Sequence, residues 1–319
     1  MVGYVDPSEA ARAALQADGR ASKAPCFATL EDALDATDGE LVLGTVRTEA
    51  HFQVAQRALE SGRHVMLEKP FAATMAEAKA LVELAIARGR VLAVSQNYRY
   101  FPGPILAARI MAEGKLGASD HVRLDFRQHG PSVGYRYWDM PDPLLADMSI
   151  HHFDLMRMVL GSEPLRIACR TWNPPESPFR FDCAGSAMIT FANGIHLDYH
   201  GSWMSGGPRT PWAGAWAMDF RDGMVEWTSR DQFVDAEGPD RLSIQPLGGA
   251  SVPEVLPEVP YLDRIGTLNA TCRMIETGIA PPHFSSGADN LMSFALTSAA
   301  LLSASRDGAW TEIAEVLDR

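Results

Sequence analysis

The run His64-Val-Met-Leu-Glu-Lys-Pro70 decides the fold. Its first four residues form an apolar run without polar alternation, as in a strand covered on both faces, and it ends at the tripeptide Glu68-Lys69-Pro70. The same rhythm repeats on either side. Upstream, Leu41-Val-Leu-Gly-Thr-Val46 is a second strand, and Thr48 opens a helix that sets Phe52, Ala55 and Leu59 on one face before Gly62. Downstream, Thr74-Met-Ala-Glu77 is a capping box, followed by Ala78, Leu81, Val82 and Ala85 at core-facing spacing, a stop at Gly89 and the strand Val91-Leu-Ala-Val94. Val2 to Val5 reads as a further strand, and Ser8 caps a helix through Gln16. Strands alternating with helices imply an α/β domain built on a parallel sheet with crossover helices.

After Tyr98 the period changes. His121–Arg127 and Ile195–His200 alternate with period two, and Ala187–Phe191 and Trp216–Phe220 are further β-rich runs between Gly, Asn and Asp turns. Residues 1–98 are therefore expected to form one domain and residues 99–319 a second, α+β domain with half-buried antiparallel strands and long helices near Ile150–Leu160 and Asp289–Arg306.

Composition excludes several functions. The chain is 46% apolar and 21% charged, as soluble globular proteins are, and Met292–Ser303, its longest membrane-like stretch, is broken by Ser and Thr. The first residues lack the basic start and apolar core of a signal peptide, so a cytoplasmic protein is expected. A net charge of −12 disfavours nucleic acid and suits a neutral, hydroxyl-rich small molecule. Cys26, Cys169, Cys183 and Cys272 are scattered, giving no support to a disulfide framework or a metal site.

Lys69 ends one strand, and Asp147 and His151 stand four residues apart on a helical stretch, with Asp154 three further on. Oxidation of an alcohol by a nicotinamide needs a base for the hydroxyl proton and a group that stabilises the alkoxide-like oxygen. Lys69 and His151 can supply these in either order, and a carboxylate near the imidazole is expected to raise its pKa and fix its tautomer. Tyr135, Tyr137 and Trp138 precede Asp147, and Trp172, Trp203 and Trp212 follow it. Aromatic rings pack on sugar faces, with Trp138 the first candidate for the pocket and Tyr98 and Arg99 the next.

The order of Glu68-Lys69-Pro70 and Asp147-Met-Ser-Ile-His151-His-Phe-Asp154 resembles the glucose-fructose oxidoreductase and inositol dehydrogenase family, Gfo/Idh/MocA. Further matches are Asn97-Tyr-Arg-Tyr-Phe-Pro102, Gly114-Lys-Leu-Gly117 and Leu41–His51. The resemblance implies a Rossmann-like domain followed by a large, mostly antiparallel open-faced sheet that pairs subunits into a homodimer or homotetramer. It implies Lys69, Asp147 and His151 as the catalytic set, an often cis Lys69-Pro70 peptide, and a sugar, cyclitol or related polyol as substrate. Cofactor contacts are expected from Asp6, Thr45, Val46, His51, Glu68, Lys69 and Asn97, and substrate contacts from Lys69, Tyr98, Arg99, Trp138, Asp147 and His151. Two departures reshape the entry loop: Ser149 stands where the family usually has Gly, and Pro141-Asp-Pro143-Leu-Leu145 replaces a Gly-Gly.

A G-x-G-x-x-G turn, whose amides hold the cofactor pyrophosphate, is not in this sequence. Val5-Asp6-Pro7 matches the end of the family's second strand, so the first strand, the turn and its helix are missing. The expectation is a natural start about thirty residues upstream, the size of that unit, with weak dinucleotide binding by the chain as given. The alternative is a non-catalytic ligand-binding or regulatory relative, or an inactive remnant. Asp6 argues for NAD over NADP, since a carboxylate accepts from a ribose hydroxyl and repels a 2′-phosphate.

Overall fold

A computed structural model describes residues 1–18, 23–130, 136–230 and 240–318, apart from the side chains at 136 and 137. Tyr135 and the side chain of Tyr137 thus lie outside the described residues. The first part of the chain runs β1 (Tyr4–Val5), α1 (Glu9–Ala17), β2 (Cys26–Phe27), α2 (Leu30–Ala36), β3 (Leu41–Gly44), α3 (Thr48–Glu60), β4 (His64–Leu67), α4 (Met75–Arg88) and β5 (Leu92–Val94). All its strand pairs are parallel, and among the described residues they form two sheets, β1-β2 and β3-β4-β5.

Local chemistry accounts for these elements. Ser8 accepts from the Ala11 amide, and Thr74 and Glu77 close both bonds of their capping box. Leu59, Val65, Leu67 and Leu81 are fully buried where α3 and α4 cover β4, each worth about 1.5–3 kcal/mol relative to exposure. The β1-β2 layer is thinner: α1 buries no residue and α2 only Ala33.

After a 3₁₀ turn at Asn97–Tyr100 come α5 (Pro102–Glu113), β6 (Ser119–Arg127), a π-helical turn at Leu144–Met148, α6 (Ser149–Leu160), β7 (Pro164–Trp172), β8 (Ala184–Phe191) and β9 (His196–Ser202). The chain continues through β10 (Ala215–Phe220), β11 (Gly223–Thr228), β12 (Arg241–Pro246), β13 (Val252–Pro253), α7 (Asp263–Thr277), α8 (Gly287–Ser305), β14 (Thr311–Glu312) and α9 (Ile313–Leu317). The described strands of this part form one sheet of order β13-β12-β11-β10-β6-β9-β8-β7-β14, antiparallel except for β6-β9. Alternation sorts its faces. Val122, Leu124 and Phe126 of β6 are buried inward, where Phe153 of α6 meets Tyr199 of β9, while Arg123, Asp125, Met188 and His200 line a shallow depression on the outer face.

The two parts are stitched together where the site lies. Val94 donates to the Ser285 carbonyl, so β5 is tied to the approach to α8, and α6 carries Asp154 into contact with Arg99 at the junction.

Candidate active site

The β-strands dictate where functional groups collect. In an open parallel sheet the carboxyl ends of the strands border a crevice, because each chain turns there into a helix. Thr45 and Val46 follow β3 and are exposed, Glu68-Lys69-Pro70 follows β4, and Asn97 lies three residues beyond β5. The Lys69-Pro70 peptide is cis. Buried His51 fastens this edge, with Nδ1 2.9 Å from the Pro70 carbonyl oxygen and Nε2 3.0 Å from that of Val46.

Lys69 Nζ donates to Asp147 Oδ1 at 2.7 Å and to the Asp147 carbonyl at 2.8 Å. Both side chains are mostly buried, at 12% and 26% exposure, so this pair is shielded from water. Asp147 sits on the π-helical turn rather than on regular α-helix. The Ser149 amide reaches back five residues to the Leu144 carbonyl, and Ser149 Oγ donates to the same oxygen at 3.0 Å. This wider turn changes the expected stacking of residues four apart, and among the described residues Asp147 bonds Lys69 and not His151.

His151 stacks on Tyr98 with ring centroids 4.1 Å apart and planes within 5°. Its Nδ1 is buried without a partner. Burial, then the charges of Lys69 and Arg230, hold its pKa well below the ordinary imidazole value. The expectation of a carboxylate-raised pKa is thereby corrected: Asp147 is spent on Lys69, and the imidazole stays neutral at pH 7. Its neighbour His152 is buried between the Tyr199 hydroxyl at 3.1 Å and the Trp212 carbonyl at 2.9 Å, and burial pushes it down to about 4.

Around this centre lies a ring that the sequence did not reveal. Asp263 and Arg264 open α7: Asp263 takes a close hydrogen bond from Asn97, and Arg264 donates to Glu68 at 2.9 Å. Arg230 lies with Cζ 4.1 Å over the Tyr98 ring and 5.2 Å from the Phe101 ring. Nothing in these stretches marks them: Arg230 follows a strand and Asp263 starts an ordinary helix. Their left-handed backbones, at φ 65° and 56°, appear only in three dimensions.

Arg99, expected at the substrate, is held by carboxylates of the protein itself. A buried guanidinium needs partners, and Arg99 finds Asp154 through two bonds of 2.6 Å and Asp289 at 2.7 Å, in a network completed by Arg157 and Glu163. Asp154, read as part of the Asp147-His151 stripe, belongs to this network. Trp138 is partly buried against the core with Nε1 unpartnered, and among the described residues it makes no hydrogen bond or ring stack with Lys69, Asp147 or His151. Trp203 and Trp212 pack around Phe126, and Trp172 stacks on His200 at the outer face.

The fold and this strand-end crevice define an α/β protein with a cationic, imidazole-bearing site at the carboxyl ends of its parallel strands. The sequence profile of the oxidoreductase family with an NAD-binding Rossmann fold matches residues 1–96, and that of the GFO/IDH/MocA C-terminal domain matches residues 105–220. The chain belongs to the Gfo/Idh/MocA family of oxidoreductases. An uncharacterized protein of Sinorhizobium fredii is 24% identical over 282 residues, 86% of this chain and 77% of its own length. An oxidoreductase from Agrobacterium radiobacter, solved with NAD+, L-tartaric acid and magnesium, superposes with a TM-score of 0.83 at 18% identity, covering 98% of this chain and 91% of that one. Aldose-aldose oxidoreductase from Caulobacter crescentus, solved with glycerol, superposes at 0.81 with 21% identity and the same coverage.

The strand ends fit the nicotinamide cofactor in kind. Gln96 is fully buried with both amide atoms unpartnered and Ser95 Oγ is likewise orphaned, so the chain leaving β5 carries spare polar groups of the kind that a carboxamide-bearing ring pairs with. Asp6 is exposed at the end of β1, with Oδ1 accepting from the Ser8 amide at 2.8 Å.

Among the described residues, no helix is long and apolar enough to cross a membrane.

Proposed function

We propose that the protein is a nicotinamide-dependent dehydrogenase that moves hydride between NAD and a hydroxyl-bearing carbon of a sugar, cyclitol or related polyol. The observation that carries this is the charged Lys69, held 2.7 Å from Asp147, beside a neutral, buried His151. A base must be unprotonated before it can act, so His151 is the proton acceptor, through Nε2, because Nδ1 is buried. Lys69 donates to the developing alkoxide and stabilises it, and Asp147 holds the ammonium in place. When bound, the nicotinamide takes up or returns the hydride. Thr45, Val46, Gln96 and Asn97 would border it, and Asp6 would take the adenosine ribose, which favours NAD over NADP.

The substrate class is supported by the company this fold keeps, since the Agrobacterium protein was solved with L-tartaric acid and the Caulobacter protein with glycerol. The outer face of the large sheet, with Met188 53% and Trp172 41% exposed, is the surface we assign to a homodimer or homotetramer.

Lys69→Ala and His151→Ala should each lower turnover by at least about a hundredfold, the scale of a positioned acid-base group, while NADH affinity by fluorescence titration stays within about threefold. Near-normal turnover in either variant removes that residue from the chemistry.

A further inference from the structure

We propose that the substrate carries a carboxylate and that Arg230 binds it; this rests on the dehydrogenase reading above and narrows its substrate class.

Three buried arginines differ in how their guanidinium groups are partnered. Arg99 and Arg157 are about as buried as side chains become, and both are saturated: Arg99 bonds Asp154 and Asp289, and Arg157 bonds Glu163 at 2.5 and 2.7 Å and Asp289 at 3.0 Å. Arg230 is 11% exposed and touches the Tyr98 hydroxyl, and the Asp240 carboxylate takes its backbone amide at 3.1 Å, yet the carboxylate that its guanidinium pairs with among the described residues, Asp263, stands 3.7 Å away, beyond hydrogen-bond length. Asp263 is moreover engaged by Asn97, and Arg230 Nε is buried with no partner. A guanidinium presents five donors in a planar fork that matches a carboxylate bidentately, so a buried fork with no carboxylate at hydrogen-bond length and Nε unpartnered is under-bonded.

Its position suits the reaction. The Tyr98 ring lies 4.1 Å from the His151 ring and 4.1 Å from Arg230 Cζ, so the guanidinium is no more than about 8 Å from the imidazole. A pyranose ring with one exocyclic carbon spans that distance, so a substrate lying along the edge of the Tyr98 ring would place one ring hydroxyl at His151 and Lys69 and the exocyclic carboxylate at Arg230. Lys69 cannot serve as the carboxylate anchor, because Asp147 already neutralises it. Arg264, 63% exposed and paired with Glu68, adds positive charge at the rim. Arg230 and Asp263 both hold left-handed backbone despite carrying a Cβ, a conformation that persists where surrounding structure enforces it and that gathers at binding sites. The net charge of −12 slows the approach of anions from afar, but affinity is set by the contact field inside the crevice.

The competing role for Arg230 is packing on Tyr98 and Phe101 alone. The test uses the full chain with NAD and two matched pairs, D-glucuronate against D-glucose and D-galacturonate against D-galactose, with affinity read by saturation-transfer NMR and turnover by NADH formation. The acid of at least one pair should bind at least about tenfold more tightly than its neutral partner, as a charge-assisted bidentate contact provides. Arg230→Gln should reduce that preference to within about twofold. Arg230→Lys, which keeps the charge but loses the fork, should retain part of it, and it decides the matter if the glutamine variant does not fold by thermal melting. Equal binding within both pairs, or a preference unchanged in the variants, overturns the proposal. Turnover of the neutral sugars without any preference for the acids overturns it while leaving the dehydrogenase reading intact; neither binding nor turnover of all four overturns both.

Discussion

His151 is kept unprotonated by its surroundings, and this has a measurable consequence. Its pKa is depressed by burial first and by Lys69 and Arg230 next, so the neutral base persists as pH falls below the ordinary imidazole range. The acid limb of the kcat/KM profile for polyol oxidation should therefore lie well below pH 6.5. Lys69→Met removes one of the depressing charges, so the limb of its residual activity should move upward toward that value. A wild-type limb at or above 6.5 would show that His151 is not the group being titrated. At this scale, residue types were legible and partners were not. Lys69, Asp147 and His151 stand out because cation, carboxylate and imidazole are what alcohol oxidation requires. That Asp147 turns to Lys69, and that Arg99 is consumed by Asp154 and Asp289, depends on a π-helical turn and on an α8 carboxylate 190 residues away, which no local pattern encodes.

Among the elements, strand β6 carries a titratable staple. His121 lies between its two neighbours, with Nε2 3.0 Å from Asp198 of β9 and Nδ1 3.3 Å from Asp219 of β10. The hydrogen bond to Asp198, opposed by burial and aided by Asp219, raises its pKa. A raised folded-state pKa means stabilisation that is complete below the unfolded value and is lost as pH rises through the folded one. Thermal melts from pH 6 to 9 should show a loss with rising pH that His121→Gln lacks. Added salt should shrink the difference, since the pair is more than a third exposed. An identical pH slope in the two proteins would mean that the staple contributes nothing. Buried His152, held at about 4, has the opposite sign: its contribution is present above the ordinary imidazole value and fades as pH falls toward 4. The elements that were legible beforehand are those with strong local signals: the Thr74-Glu77 capping box, the unbroken apolar run of β4 and the alternation of β6. Two-residue strands such as β2 and β13 are too short to show a period, and α7, with Gly266 and Thr267 facing inward, lacks a clear apolar stripe.

Across the whole molecule, burial is unequal. The β3-β4-β5 sheet and the large sheet share one continuous core, whereas β1, α1, β2 and α2 contribute a single buried residue, Ala33. Stability should follow that division, because local opening costs least where little apolar surface is covered. In native-state hydrogen exchange the amides of α1 should exchange well before those of α4 and β4, and uniform protection across all three would contradict this. The two-part organisation was readable from the change of apolar period after Tyr98. That α7 and α8 return from the far end of the chain to complete the crevice was not, since contacts such as Arg264 with Glu68 span 196 residues.

Hydride transfer from a hydroxyl-bearing carbon is tested most directly by isotope. The protein is incubated in ordinary water with NAD+ and ring-deuterated D-glucose, D-glucuronate or myo-inositol, and the reduced cofactor is examined by NMR. Deuterium should appear at the nicotinamide ring carbon para to its nitrogen with at least one of these substrates, and His151→Ala should suppress its appearance by about a hundredfold. Reduced cofactor carrying solvent hydrogen at that carbon, or no reduction with any of the three at NAD+ concentrations that saturate the protein, would contradict a dehydrogenase centred on Lys69, Asp147 and His151.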